Sequence, residues 1–458
     1  MRTVRSSRRQ FLQRAGVFGA GIAGVGAPVA QARGDAAGSW RNWSGNQSAQ
    51  PAAIHFPADE DELRRLVTTG RSPLRAFGAS HSFSALVPST GTMVSLERMN
   101  GLLRHDAARL QATFAAGTRI AAAGDLLATL GQGLENSPDV DIQSLAGAIA
   151  TATHGTGTTL QCLSGYVREL KLVLCDGSAL TCSAEREREL FDAARVSLGA
   201  LGIVTEITLQ NRAAYSLRER TRVMDIESAC AWVDARRHAA RHVEFFAFAH
   251  GATALVKEMD IDPGPDTAPG EPLFDENALL EFAADTARRA PFTTGLIQRL
   301  LGAFIADGER TGPARRIFPS PRTVLFNEME YTVPAERGIE CLREVIDTIR
   351  ARDIDVFFPV EFRYVAADDA WLSMFAGRAG ASISVHQYHK QDHAALFAAV
   401  EPVLRRYDGR PHWGKLHTLQ ASALRDLYPQ WEAFLAVRRR VDPHARLLNP
   451  YLRTLFGV

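Results

Sequence analysis

Cysteine is scarce in this chain of 458 residues: there are five, Cys162, Cys175, Cys182, Cys230 and Cys341. None forms a C-x-x-C pair, and an odd count makes a poor disulfide framework. They read as small buried apolar residues, with at most one bridge in an oxidising compartment. An excess of one charge sign is also missing, with 52 basic against 51 acidic residues. Without its first 32 residues, which hold five arginines and no acid, the chain has 47 basic against 51 acidic residues, a net charge of about −4. That argues against nucleic acid or an anionic membrane as a partner. After the N-terminus there is no long apolar run, so no stable membrane insertion is expected. No internal repeat of fixed period appears.

What stands at the N-terminus is Ser7-Arg8-Arg9-Gln10-Phe11-Leu12, an apolar glycine-rich run from Gly16 to Ala30, and the small-x-small site Ala30-Gln31-Ala32. This is the grammar of a twin-arginine export signal over residues 1–32, handled by the twin-arginine translocase of a bacterium. It places the mature protein in the periplasm or outside the cell. Gly19-Ala20-Gly21-Ile22-Ala23-Gly24 fits the dinucleotide fingerprint. It lies inside the apolar part of the signal, with no preceding strand, and is set aside. Proteins on this export route travel folded, often with a cofactor inserted, which favours a cofactor enzyme over a simple binding protein.

The remaining 426 residues are enough for two or three domains. From Trp40 to about Asn211, short apolar runs alternate with helical segments and Gly/Ser/Thr turns, the pattern of an α+β domain. Asp59 to Thr69 reads as an amphipathic helix with an acidic first turn. Leu74–Phe77 and Thr92–Leu96 read as strands, and Leu170–Cys175, Asp176-Gly177-Ser178 and Ala179–Cys182 as a hairpin. Ile203–Leu209 alternates as a half-buried strand. After about Arg212 helices and strands lengthen. Asp260–Pro272 and Gly312–Arg322 read as loops near a domain rim.

Two short segments far apart carry the chemistry. Ala76-Phe77-Gly78-Ala79-Ser80-His81-Ser82-Phe83-Ser84 is a small-residue loop that lets backbone approach a ligand closely, with an imidazole in its middle. Arg410-Pro411-His412-Trp413-Gly414-Lys415 brings an imidazole, an indole and an amine within four residues. Together they point to a redox cofactor held by the N-terminal part and a polar substrate held over it by the C-terminal part. In the stretch Ser144–Gly157, the small and hydroxylated residues Ser144, Gly147, Thr151, Ala152, Thr153 and His154 offer backbone N–H groups to a pyrophosphate. An alanine-rich buried helix ending at a Gly-x-Gly turn fits that stretch equally well. Ser197-Leu198-Gly199-Ala200-Leu201-Gly202-Ile203-Val204 is a further glycine-punctuated turn, entering a strand at Ile203, that suits an adenine end.

These segments are familiar. The His81 loop, Ala152-Thr153-His154-Gly155-Thr156-Gly157 and the Leu201–Val204 turn resemble the flavin domain of the vanillyl-alcohol oxidase superfamily. Pro359-Val360-Glu361-Phe362-Arg363, the His412–Lys415 block and Leu448-Asn449-Pro450-Tyr451 resemble its sugar-oxidising branch, the aldonolactone and alditol oxidases. The resemblance runs from Trp40 to the C-terminus and is weakest from about Asp260 to Arg322. It implies an α+β fold with an FAD-binding domain over 40–211, an α+β cap or substrate domain over 212–425, and a segment 426–458 returning to the FAD domain.

For His81 the resemblance implies a covalent bond from a ring nitrogen to the 8α-methyl of FAD. Ala79 departs mildly from the Gly-Ser-Gly-His of many relatives. Glu361 and Arg363, two apart and so on one face of a strand, would hold substrate hydroxyls and stabilise charge. Read from the residues alone, they are either an exposed ion pair or, after the apolar Val356–Val360, part of a buried strand. Lys415 matches the family lysine beside the flavin, and His412 is a flavin-side or hydrogen-bonding residue. Ser382, Ser384, His386 and Tyr388 share one face of a strand that either lines a sugar pocket or meets water. His386, His389 and His393 read as solvated, with no metal.

The implied reaction is hydride transfer from a sugar-derived alcohol to flavin, with oxygen as acceptor and hydrogen peroxide as product. Pro-Val-Glu-x-Arg leans toward an aldono-1,4-lactone (gulono-, galactono- or arabinono-), whereas Val365–Ser373 looks like the alditol branch. A dehydrogenase passing electrons to a cytochrome or quinone, and a sugar-binding protein without flavin, are the rivals.

Overall fold

The structure is a computed structural model that describes residues 38–267, 276–304, 307–320 and 322–458. Residues 1–32, read above as an export signal, and the later part of the loop expected over Asp260–Pro272 lie outside them.

The N-terminal half, up to Ala213, builds two main sheets besides the short pair of Trp40–Arg41 with Ser48–Ala49. A three-stranded parallel sheet has Thr92–Ser95 between Ala53–His55 and Leu74–Phe77. A larger antiparallel sheet runs Ala179–Ser183, Val167–Val173, Ile203–Ala213, Gln111–Ala115, Leu102–Asp106, and Gln132–Leu134 pairs with the far end of Ile203–Ala213. The expected helix is Glu60–Thr69; Asp59 caps it by accepting from the Glu62 N–H, and Leu63 and Val67, four apart, bury its inner face. The expected hairpin forms too, with Val173 opposite Ala179 and Gly177 at φ +81° in its turn.

Two residues after Ala213 the chain enters a second, eight-stranded antiparallel sheet. Its order is Gly308–Pro313, Ser216–Asp225, Thr253–Ile261, His242–Phe248, Val360–Val365, Gly380–Tyr388, Phe326–Pro334, Arg410–Pro411. Side chains alternate between its faces. Phe245, Phe362, Ile383, Met329 and Tyr331 are buried on one, against the helices Ile226–Arg236, Gly338–Ala351 and Ala394–Arg406. On the other face the register lays out rows in which most residues are polar. Lys257, Glu244, Arg363, Ser382 and Thr332 form one; Leu255, Phe246, Glu361, Ser384 and Glu330 form the next; Glu328 stands opposite His386 in a third. A polar face that is itself buried is the mark of a site rather than a surface.

Two expectations are corrected. Gly312–Arg322 is not all loop: Gly308–Pro313 pairs with Ser216–Asp225 and Ala314–Ile317 is a helical turn, because the chain completes the sheet edge. The strand expected from Val356 begins only at Val360. The carbonyls of Val356 and Phe357 are taken by the Gln298 side chain and that of Pro359 by His386, so that stretch is buried outside the ladder.

The C-terminal segment returns to the first sheets through Arg75. Its buried guanidinium donates to the carbonyls of Leu86, Gly199, Leu447 and Leu198 at 2.7–2.9 Å, and burial lowers its pKa to about 10. Arg75→Met would leave buried carbonyls without donors, so a stability loss of about 3 kcal/mol or more is expected, read as a lower urea midpoint at unchanged slope. All five cysteines are free and buried. Among the described residues no helix is long and apolar enough to cross a membrane.

Candidate active site

A cavity of about 450 Å³ lies between the N-terminal sheets and the polar face of the eight-stranded sheet. Its floor begins with the histidine loop. The strand Leu74–Phe77 ends in a turn where Ser80 takes φ +55°, pinned by Trp40 Nε1 donating to Ser80 Oγ at 2.9 Å. The two motifs far apart in sequence are tied directly: Phe83 N–H donates to the Gly414 carbonyl at 2.7 Å and Ser84 Oγ to the Trp413 carbonyl at 2.6 Å. His81 packs at 4.6 Å from the Trp43 ring and 6.2 Å from Phe83. Burial, reinforced by the Lys415 ammonium, lowers its pKa to about 4, so its ring is neutral near pH 7. Its Nδ1 is buried with no hydrogen-bond partner.

Ala76, Phe77, Gly78, Ala79, Ser80, His81 and Ser82 all line the cavity, as do Ser144, Gly147, Thr151, Thr153, His154 and Ile203. The Ser144 stretch is partly the plain helix that its alanines allow, Leu145–Ala150, with Ser144 Oγ accepting from Gly147 N–H. Gly78 passes directly over this cap, so that a Cβ there would lie 1.9 Å from Ser144 Oγ. Gly78→Ala is therefore expected to uncap the helix and displace the loop, costing about 1–2 kcal/mol and lowering flavin incorporation, measured as the ratio of flavin to protein absorbance in the purified variant.

Ala152 does not line the cavity. It sits fully buried in the left-handed region at φ +56°, turning the chain from the helix toward Thr153. Tyr388 is not in the wall either; its hydroxyl lies beyond it, 3.4 Å from Glu281, because the strand Gly380–Tyr388 runs out past the cavity.

The cavity is also lined by Glu361, Arg363 and His386 of the eight-stranded sheet and by His412 and Lys415, which adjoin the histidine loop. Glu361 and Arg363 are ion-paired and buried, which excludes the exposed-pair reading. Arg363 also donates to Glu244 at 2.7 Å and lies 3.8 Å from Asp139. Burial disfavours its charge, but those three carboxylates outweigh it and hold its pKa well above the usual value. Burial, with Glu244 and Asp139 nearby, raises the Glu361 carboxyl despite Arg363. Lys415 pairs with Glu328, whose carboxyl burial pushes up but Lys415 and His386 pull well below the ordinary range. His386 Nδ1 lies 3.1 Å from the Pro359 carbonyl, and its Nε2 lies 3.5 Å from Glu328 and 3.8 Å from Glu361. His154 has an acceptor at each ring nitrogen, the Gly155 carbonyl at 2.8 Å and Glu330 at 2.7 Å. Burial lowers the His412 pKa to about 4, and its Nδ1 accepts from Gly414 N–H at 3.0 Å.

Sequence reasoning missed Glu328 and Glu330, although they stand two apart on an apolar strand just as Glu361 and Arg363 do. It also missed Asp139, Glu244, Lys257 and Arg322, which no local pattern marks. Two groupings have cation-site spacing, His154–Glu330–His412 and Glu328–Glu361–His386, each with ligand atoms within 4.8 Å. In the second the carboxylates are already matched by Lys415 and Arg363. His389 and His393 belong to neither.

The residues fit an elongated flavin dinucleotide. The cavity reaches from the Ser197–Gly199 turn past the glycine-cradled cap of Ser144 to an unpartnered imidazole beside charged groups. Comparison with known proteins agrees. Residues 51–183 match an FAD binding domain and residues 207–455 match D-arabinono-1,4-lactone oxidase. The chain is 38% identical over 426 residues to an L-gulono-1,4-lactone dehydrogenase of Mycobacterium tuberculosis, covering 91% of this chain and 99% of that one. It is 29% identical to an alditol oxidase of a Streptomyces species, covering 90% and 98%, and 27% identical to the L-gulonolactone oxidase of Bos taurus, covering 91% and 98%. In fold it is similar to the cholesterol oxidase of B. sterolicum, with a TM-score of 0.78 at 16% identity over 92% of this chain and 96% of that one. The expected α+β architecture of the vanillyl-alcohol oxidase type is thus the one adopted. With a family match over more than half its length and a cavity lined by the histidine loop and a charged sheet face, this chain belongs to the D-arabinono-1,4-lactone oxidase family of FAD-dependent oxidoreductases acting on CH–OH groups.

Proposed function

We propose that this chain is exported by the twin-arginine route, holds FAD covalently through His81, and oxidises a ring or side-chain hydroxyl of an aldono-1,4-lactone of the gulono-, galactono- or arabinono- type. The observation that carries the reading is the buried cluster of Glu361, Arg363, His386 and Glu328 on one sheet face, with Lys415 paired to Glu328, lining the same cavity as His81 and His154. FAD, when bound, supplies the two-electron acceptor for the hydride that leaves the carbinol carbon. His81, His154, His412 and the Gly78 loop would hold it. The neutral ring of His81, with Nδ1 unpartnered, has the free lone pair that a bond to a flavin methyl requires.

The substrate side follows from the charged residues on the sheet face. The bond of His386 Nδ1 to a carbonyl, which can only accept, places the ring proton on Nδ1. Nε2 is then the basic atom, and it takes the proton of the reacting hydroxyl. The Glu328 and Glu361 carboxylates on either side stabilise the resulting imidazolium. The fixed charge of Arg363 and the Lys415 ammonium favour the alkoxide character that develops on substrate oxygen. Glu361 orients hydroxyls.

Oxygen is the acceptor in this reading, with hydrogen peroxide as product. A second reading, a dehydrogenase using a cytochrome, quinone or dye, is favoured by the name of the relative at 38% identity. The test is turnover of gulono-1,4-lactone, arabinono-1,4-lactone and a sugar alcohol, each with oxygen alone and with a dye acceptor. Faster turnover of a lactone with stoichiometric peroxide is expected. Turnover with dye alone establishes the dehydrogenase, and turnover of the alditol alone removes the lactone assignment.

A further inference from the structure

Eight large apolar side chains stand out in solvent among the described residues, and five of them fall in one short stretch: Leu279, Phe282, Phe292, Leu296 and Leu300. That stretch is a hairpin of two helices, Glu276–Arg289 and Thr294–Phe304, joined by the turn Pro291–Thr293. Phe292, at the turn, is 90% exposed, and Phe282 is 70% exposed. The inner side of the hairpin is also apolar, since Leu280, Ala283, Ile297 and Leu301 pack on the cluster of Val324, Phe326, Phe357 and Phe358. A helix apolar on both sides is ordinarily a covered one, so something covers the outer side. Exposed large apolar side chains concentrated in one hairpin mark an interaction surface.

The charges decide what covers it. The acids Glu281 and Asp285 are engaged by Lys390 and Arg288. The exposed Arg289 and Arg299 have no ion-pair partner among the described residues. Among the described side chains of the hairpin, a second copy of this chain docked face to face would bring those guanidiniums together with no unengaged acid to meet them. A surface of phosphates complements them. Phenylalanine and leucine outward, flanked by arginine, is the composition of a segment that lies in a lipid interface.

We propose that the hairpin of residues 276–304 docks the folded protein on an anionic phospholipid surface, with Phe282 and Phe292 entering the headgroup boundary and Arg289 and Arg299 meeting lipid phosphates. The net charge of the whole chain pointed away from an anionic membrane, but it averages over the molecule, whereas docking depends on one face. Asn277 and Leu280 on the first helix line the active-site cavity, so this surface adjoins its mouth. The proposal does not depend on which alcohol is oxidised.

The experiment is sedimentation of the mature flavin-loaded protein with vesicles of phosphatidylcholine alone and with about one-quarter phosphatidylglycerol. Three forms are compared: the parent, Phe282→Ser with Phe292→Ser, and Arg289→Gln with Arg299→Gln. The parent is expected to pellet with anionic vesicles and to be released by salt. The serine pair should lose roughly tenfold or more in partitioning, and the glutamine pair should lose the preference for anionic vesicles. No variant residue lines the cavity, so turnover with a soluble acceptor should not change. A parent that pellets with neither vesicle, or one whose binding survives the serine pair, overturns the proposal. So does a dimer in solution that the serine pair dissociates without any vesicle binding by the parent, which makes this face a contact between copies.

Discussion

In His81→Ala, flavin fluorescence is expected to disappear from the denatured protein band while the parent band keeps it. The parent ring is neutral near pH 7 because burial and the Lys415 ammonium both oppose its protonation, and its Nδ1 faces no protein acceptor or donor. An imidazole nitrogen buried without a partner costs stability unless something bonds it, and a flavin methyl at the end of this cavity would do so. The same substitution removes a ring packed 4.6 Å from Trp43, so the protein should also unfold at a lower temperature, by a cavity cost of about 2–4 kcal/mol. The two effects separate by experiment. His81→Gln fills much of the space without a ring nitrogen and should recover stability but not fluorescence. A fluorescent band in either variant would move the attachment to another residue, and a dark parent band from a yellow preparation would make the flavin non-covalent.

Arg363→Met should reduce kcat on a lactone by about 100- to 1000-fold and destabilise the protein by about 3–5 kcal/mol. One guanidinium answers Glu361, Glu244 and Asp139 in a buried cluster, and methionine answers none of them. The Glu361 carboxyl, which burial already raises against the pull of Arg363, would then rise further above its unfolded value. A group raised in this way contributes its stability below the unfolded pKa and loses it as pH rises through the folded pKa. The variant should therefore lie closer to the parent in thermal midpoint at pH 5 than at pH 8. Arg363→Lys keeps one charge without the fork that spans two carboxylates and should fall between them in both readouts. Equal destabilisation at the two pH values would mean that the carboxylates are compensated by other cations, Lys257 and Arg322 being the candidates on the cavity wall.

Much of the first sheets could be read locally. Asp59 before an acidic turn, the Asp176-Gly177 turn and the alternation of Ile203–Leu209 each contain their whole signal within a few residues, and the helix, hairpin and strand form there. The histidine loop was equally legible as a small-residue turn and lines the cavity, because close approach of backbone to a ligand demands small residues at fixed positions whatever surrounds them. The pairing of Glu361 with Arg363 followed from their two-residue spacing on a strand. Their burial did not, since it depends on the loops of the N-terminal half closing over that face. Ala152 and Tyr388 were misplaced for a related reason. A residue inside a binding motif can serve only the turn, and a strand that lines a site for part of its length can leave it before its end.

The sequence by itself determined the local elements, the cofactor class and the branch of the family, since each is written in contiguous motifs. Only the tertiary structure decided the charge on the active-site wall. Asp139, Glu244, Glu328 and Glu330 come from separate parts of the chain and meet His154, Lys415 and Arg363 across strands paired 50 or more residues apart. Coulomb interaction and desolvation depend on distance in space and on the medium between the charges, and neither quantity is a property of position along the chain.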